Sequence, residues 1–147
     1  GTQAFPAGEE DRGVAAFLGK RYTGAGATAG MNFGELVKPV TACPGLLALA
    51  IADREGIAVE SWGPEAAEAE EVVAEYTGFL RELTTANREL KLGDLHQVVI
   101  AGSQRAIVVT FITSDYYLFA VVDKDGNLGK TRFQSRVAAW RLRPEFT

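Results

Sequence analysis

The chain has 147 residues, 47% of them hydrophobic, and a formal net charge of −4. That length and apolar share suit one domain with a real core, and the acidic balance argues against a protein that grips a nucleic-acid backbone. The longest uninterrupted apolar run, Leu46 to Ala52, is far short of the ~20 residues of a membrane span, and the first residues lack the basic start and apolar stretch of a secretory signal. A single cysteine, Cys43, cannot form an intrachain disulfide; it is compatible with a reducing compartment, so a cytoplasmic location is expected.

Residues 1–31 read as a Gly/Ala-rich arm or linker, with glycine at 8, 13, 19, 24, 26 and 30. Only Val14, Ala15, Phe17 and Leu18 offer one apolar helical turn there, closed by Gly19. Asn32 then predicts a cap for a short helix to Val40, with Phe33, Leu36, Val37 and Val40 on one face. Pro39 and the Pro44-Gly45 pair limit it. Leu46 to Ile51 is wholly apolar, as in a strand covered on both faces. Asp53 to Gly56 is a tight turn, and Ile57 to Trp62 returns as a second strand.

Pro64 suits the first position of a long helix reaching about Asn87, with Glu65 and Glu68 favouring its N-terminal dipole. Its apolar residues are Ala69, Val72, Val73, Tyr76, Phe79, Leu80 and Leu83, a wide helical face. Gly93 breaks the chain. Gln97 to Ala101 is a short strand, Gly102-Ser103-Gln104 a turn. Ala106 to Thr113 and Tyr116 to Asp123 are β-rich runs joined at Ser114-Asp115. Asp125-Gly126-Asn127 leads into a last helix, Leu128 to Leu142, before Pro144. The order α-β-β-α-β-β-β-α predicts an α/β fold, with helices on both faces of one mainly antiparallel five-stranded sheet.

Several stretches carry a more specific signal: Cys43-Pro-Gly-Leu-Leu-Ala-Leu-Ala-Ile-Ala-Asp-Arg-Glu-Gly56, Leu90-Lys-Leu-Gly-Asp-Leu95, Asp115-Tyr-Tyr-Leu118 and Asn127-Leu-Gly-Lys-Thr-Arg132. In this order, and on these elements, they resemble the roadblock / dynein light chain family, a profilin-like fold, in its bacterial branch of small-GTPase regulators. The resemblance covers residues 32–143 and leaves 144–147 as a tail. It implies dimers whose sheets join edge to edge through the third strand, with the long helices packed together on one face. It also implies a platform for a Ras-like small GTPase, whose hydrolysis some members stimulate by reshaping its switch loops rather than by inserting an arginine.

Carried onto this sequence, the pairing surface comprises Gln97, Val98, Val99 and Ile100 of the strand with Val72, Tyr76, Phe79 and Leu83 of the helix. The strand has no charge or proline to guard its edge, and an unguarded edge invites another strand. Without the resemblance, the same residues would serve equally well in a monomer's core. The partner would be a second copy or a related chain. Charge is segregated, with glutamates at 60, 65, 68, 70, 71 and 75 and no basic residue in that stretch, and with basic residues at 130, 132, 136, 141 and 143; the simpler reading is two solvated faces matched to helix dipoles, and the alternative is that Lys130, Arg132 and Arg136 form a basic stripe for a charged partner.

Catalytic signals are weak. Gly129-Lys130-Thr131 follows a strand and opens a helix, but the phosphate-loop pattern requires glycine where Lys124 stands, and little chain follows. Cys43 and His96, each the only residue of its type, form a conceivable nucleophile pair without a third member, and cannot make a zinc site. Arg54 and Arg105, on turns, read as solvated. The expectation is a non-enzymatic homodimeric module engaging a small GTPase, with no cofactor, metal or catalytic residue. The alternatives are a scaffold or motor-adaptor dimer and a small-molecule sensor; a sensor would need a cavity where Leu80, Leu83, Phe111 and Phe119 are expected to fill the space.

Overall fold

The computed structural model describes residues 32–147. The proposed arm, with its apolar turn at Val14 to Leu18, lies outside the described residues. Helix α1 spans Phe33–Thr41, and the Asn32 carboxamide accepts from the Glu35 amide at 2.9 Å, satisfying one of the amides a helix start leaves unpaired. Strand β1 (Leu46–Asp53) turns into β2 (Ala58–Trp62), and helix α2 (Ala66–Glu89) follows. Strands β3 (Gln97–Ala101), β4 (Arg105–Phe111) and β5 (Tyr116–Asp123) lead to helix α3 (Leu128–Leu142).

The strands form one antiparallel sheet in the order β2-β1-β5-β4-β3. The long apolar strands β1, β5 and β4 take the centre, where both faces are covered. The short strands β2 and β3 take the edges. Helices α1 and α3 cover one face, over a core that includes Leu36, Leu49, Ile51, Ile112, Leu118 and Leu142. Helix α2 covers the other, over Ala48, Ala50, Val73, Leu80, Val109 and Phe119.

Two of the motifs quoted above meet in space. Gly45 has φ +81°, and a Cβ there would lie 2.2 Å from the Gly126 Cα. The Asn127 amide donates to the Pro44 carbonyl and the Asp123 amide to that of Gly45. The start of β1 and the turn into α3 are therefore in backbone contact, which only glycine allows.

Several expectations are corrected. Helix α2 begins at Ala66 rather than at Pro64, and runs to Glu89 rather than Asn87. Gly63 (φ +105°), with no room for a Cβ against the Leu47 carbonyl, sets the chain's direction just before Pro64. Strand β1 extends to Asp53 because its register with β5 continues to Tyr116. Residues 144–147 are no loose tail: Arg143–Phe146 is a 3₁₀ turn, and the Phe146 ring stacks on Phe33 (centroids 5.3 Å) and packs against Tyr116 (4.5 Å). An aromatic ring gains enough from such burial to hold a chain end.

Candidate interaction surface

Strand β3 pairs with β4 in a regular register, Gln97 opposite Thr110 through Ala101 opposite Ala106. The Phe111 amide donates to the His96 carbonyl and the Gly102 amide to that of Arg105. Hydrogen-bonded pairs alternate along an antiparallel ladder, so residues 96, 98, 100 and 102 spend their backbone groups on β4. Gln97, Val99 and Ala101 turn theirs outward. Among the described residues no other strand lies beyond β3.

The opposite edge is built differently. The register of β2 shifts at a bulge between Ile51 and Ala52, and β2 carries the exposed Glu60. A bulge and a charge are devices that keep other strands off an edge. Strand β3 has neither.

Side chains of β3 divide between the faces. Val99 packs partly against the α1/α3 core, and Gln97 bridges to that layer, its Nε2 donating to Thr110 Oγ1 and to the Arg132 carbonyl, each at 3.0 Å. Val98 and, on β4, Ile107 pack partly against the α2-side core. Helix α2 itself lies over β1, β2 and β5, so Val98, Ile100 and Ile107 remain only half-buried.

The wide apolar face of α2 resolves into two. Ala69, Val73, Thr77 and Leu80 are buried toward the sheet. Val72, Tyr76 and Leu83 pack only partly, and Phe79 is 47% exposed. At 100° per residue these four lie together on one flank, about 100° from the sheet-facing line. Glu70, whose carboxylate accepts from Ser61 on β2, lies on the opposite flank. The apolar flank therefore looks toward β4 and β3. The structure brings all eight expected pairing residues to one side of the domain, none fully buried. Sequence reasoning missed Ala86, which continues the flank, and Leu90, which caps the end of α2; both are exposed, Leu90 by 68%. Their signal was the alternating four- and three-residue spacing from Val72 onward.

The basic stripe is corrected. Lys130 and Arg132 are exposed, but Arg136 is 7% exposed and sits among buried Ser135, Val137, Ala138 and Ala139. Helix α3 is covered on most of its circumference, so an arginine one turn from Arg132 goes inward. Glu65 and Glu68 do more than complement a dipole: both pair with Arg105 at the start of β4, with 3.2 Å to Glu65 Oε1. This guanidinium holds the Glu68 carboxyl below the usual range, helped by the neighbouring Glu65. Arg105 thus ties the start of α2 to the sheet and is not a free turn residue.

The remaining chemical candidates are dispersed. The Cys43 thiol is buried and donates to the Pro39 carbonyl at 3.3 Å; burial raises its pKa, against lowering by Thr131 and Lys130. His96 immediately precedes β3, and its imidazole pKa is lowered to about 4, first by burial and then by Arg136. The two are not brought together. The start of α3 is capped from within: Asn127 Oδ1 accepts from the Lys130 amide at 2.9 Å, and the Thr131 hydroxyl, the one a phosphate loop would use, donates to the Asn127 carbonyl. Arg54 pairs with Asp115 at 3.2 Å on the surface, and its carbonyl accepts from Arg81. Among the described residues there is no cluster of three potential metal ligands, and no helix is long and apolar enough to cross a membrane. Between α2 and the sheet, Leu80 and Phe119 are fully buried and Phe111 is 9% exposed, while Leu83 is half-buried. A groove lined by Gly78, Arg81, Glu82, Thr85, Ala86 and Glu89 lies on α2.

The same architecture occurs in solved structures. A Roadblock/LC7 domain from Streptomyces avermitilis superposes with a TM-score of 0.68 at 15% identity, covering 78% of this chain and 98% of that one. The gliding protein MglB from Thermus thermophilus gives 0.67 at 17% identity, over 76% and 86% of the two chains. MglC from Myxococcus xanthus gives 0.56 at 28% identity, over 79% and 100%. No curated protein sequence matches the chain. The Roadblock/LC7 domain pattern matches residues 32–123, and with the sheet order and helix placement above, the chain belongs to the Roadblock/LC7 family.

Proposed function

We propose that this domain is a regulatory module without catalytic residues, which pairs with a second roadblock domain through β3 and α2 and in that state engages a Ras-like small GTPase. The observation that carries the reading is the coincidence of two unfinished surfaces on one side of the domain. Gln97, Val99 and Ala101 direct backbone groups outward, and the half-exposed flank Val72, Tyr76, Phe79 and Leu83 adjoins them.

The three outward residues allow a two-fold pairing about Val99. Val99 then faces its own copy and Gln97 faces Ala101 of the other strand, forming two hydrogen bonds at each of three residue pairs. Val98 and Ile100 meet on the α2 face, where each domain leaves its sheet thinly covered. Such an interface falls in the range of about 1,200–2,000 Å² for stable complexes. Kinship with proteins named as gliding protein MglB and as MglC supports the GTPase reading. The regulatory effect would come from holding the GTPase's loops in one arrangement, since among the described residues we find no side chains grouped for chemistry.

Light scattering on the wild type and on Val99→Lys tests the pairing: the wild type has the mass of a dimer and the lysine variant that of a monomer. Phosphate release from a GTP-loaded Ras-like GTPase, with and without each protein, tests the second step. A change in rate with the wild type that Val99→Lys abolishes is expected. A wild type that stays monomeric at every concentration refutes the reading.

A further inference from the structure

Helix α3 is buried on a side that its own layer does not cover. Ala138, Ala139 and Leu142 belong to the core shared with α1 and the sheet, and they fix the line that faces inward. At about 100° per residue, Phe133, Val137 and Trp140 point nearly the opposite way. They stand at i, i+4 and i+7, an apolar stripe on the side away from the sheet. Val137 is nevertheless fully buried, and it packs in neither core layer. Phe133 is half-buried, and Trp140, with the Arg143 guanidinium 5.2 Å from its ring, is partly exposed. Among the described residues, the elements that chiefly pack on α3 are α1, β4, β5 and the following 3₁₀ turn, and the apolar contacts they make with it lie in the inner core.

The stripe is bordered by charge of one sign. At the same helical spacing, Arg132, Arg136 and Arg143 run along one side of it and Lys130 and Arg141 along the other, and residues 128–143 contain no acid. Arg136 and Arg141 are buried. Guanidinium groups so withdrawn from water call for carboxylate or carbonyl oxygens around them. The remainder of the chain carries the matching chemistry. Residues 1–31 end at Asn32, which caps α1, and α1 packs beside α3. Within them, Glu9-Glu10-Asp11 is a run of acids, and Val14, Phe17 and Leu18 share one side of a helical turn. Residues 19–31, which join that turn to α1, reach up to about 40 Å, whereas α3 is about 22 Å long. The whole outer side of α3 is therefore within range.

From this we propose that residues 9–18 dock on the outer side of α3 in the same chain. Val14, Phe17 and Leu18 lie on the stripe of Phe133, Val137 and Trp140, and the three acids lie against its bordering arginines. The apolar contact supplies the cover that Val137 requires, and the acids compensate a helix whose charges are all positive. The docking goes beyond the pairing reading and does not depend on it, because α2 covers the opposite face of the sheet.

A nitroxide attached at position 16, through Ala16→Cys with Cys43→Ala, locates the arm in the full chain. Ala16 falls on the side of the turn away from Val14, Phe17 and Leu18, so the label leaves the contact in place. The amide signals of residues 133–140 broaden, and those of α2 do not. Phe17→Asp with Leu18→Asp removes the broadening while the amides of the sheet keep their positions. Trypsin then cuts after Arg12 at least about tenfold faster, since cleavage follows the population of the open form. Replacing Glu9, Glu10 and Asp11 together by lysine also removes the broadening; a triple variant that still broadens α3 overturns the ionic half of the contact. Broadening spread evenly over the domain, or centred on another element, overturns the docking. Broadening that appears only when labelled chain is mixed with unlabelled, isotope-enriched chain assigns the cover to the arm of a second copy and overturns docking within one chain.

Discussion

A proline at Val99 separates pairing from folding more cleanly than any side-chain change. The Val99 amide points away from β4, because the ladder bonds run through residues 96, 98, 100 and 102. Val99→Pro therefore removes no bond within the domain. An edge strand accepts proline where its amide faces outward, and loss of the half-buried valine with some adjustment of φ costs the monomer about 1–2 kcal/mol. In the dimer the same change removes the two bonds between the Val99 copies, about 1 kcal/mol each. Lost contact between the two valines adds about 1 kcal/mol. The total, about 3 kcal/mol, raises the dissociation constant by roughly two orders of magnitude. One residue earlier the result inverts. Val98→Pro deletes the bond to Val109 inside the sheet and strands a carbonyl, costing the fold about 2–4 kcal/mol. Analytical ultracentrifugation and thermal unfolding, run on both variants, separate the two effects. A Val99→Pro protein that remains a dimer at wild-type affinity refutes the outward-edge argument.

Three further outcomes follow from the packing and from one titrating group. His96 is lowered to about 4 chiefly by burial, while in the unfolded chain it titrates near 6.5; the unfolded state binds the extra proton between those values, so stability falls on acidification through that window, by up to about 2 kcal/mol at pH 5. His96→Gln flattens this part of the pH profile of urea unfolding, and an unchanged profile assigns the loss to other groups. Gly45→Ala places a methyl 2.2 Å from the Gly126 Cα at a φ of +81° and destabilises the domain by about 2–4 kcal/mol; a calorimetric midpoint within about 2 °C of wild type, roughly half a kcal/mol, contradicts the contact. Phe146→Ala unstacks the ring from Phe33 and Tyr116 and lowers stability by about 1–2 kcal/mol, read as a midpoint shift of several degrees, whereas a disordered chain end would show none.

Much of the fold was legible because its signals are local. Asn32 and Asn127 cap where a short polar side chain precedes an apolar run, and β1 reads as central because nothing polar interrupts it. What the sequence could not apportion was the wide face of α2. Helical periods of 3.6 and 3.5 overlap over two turns, so Val72 and Val73 look alike until a sheet fixes which one it faces. Ala86 escaped notice because alanine suits any helix position, and Leu90 because it follows the polar Asn87-Arg88-Glu89. Arg136 misled for a different reason. In α3 the run from Val137 to Ala139 is buried continuously, and such a helix has no amphipathic period to show which way a neighbouring arginine turns. Arg105 and Glu68 are far apart in the chain, and their pairing depends on α2 crossing back over the sheet.

The two halves of the proposed pairing surface are complementary in what they would supply. Six edge hydrogen bonds at about 1 kcal/mol each are comparable with the roughly 4–15 kcal/mol of freedom lost when two domains associate. Edge pairing by itself therefore sets geometry but leaves little surplus. In the proposed dimer the α2 flank would bury Phe79, the most exposed of its apolar side chains, and add affinity without fixing strand register, because side-chain contacts on a helix tolerate small rotations. The division also explains why odd and even residues of β3 matter differently. Gln97 and Val99 offer backbone groups to a second strand while their side chains face the α1/α3 layer; Val98 offers its side chain to the α2 layer and its backbone to β4. Substituting Val98 by serine should thus weaken pairing through lost apolar cover on the α2 face alone and leave the strand register untouched, whereas proline at Val99 leaves the α2-face cover intact and removes the central pair of edge hydrogen bonds. A protein in which either change alone yields monomers is one whose pairing needs both surfaces at once.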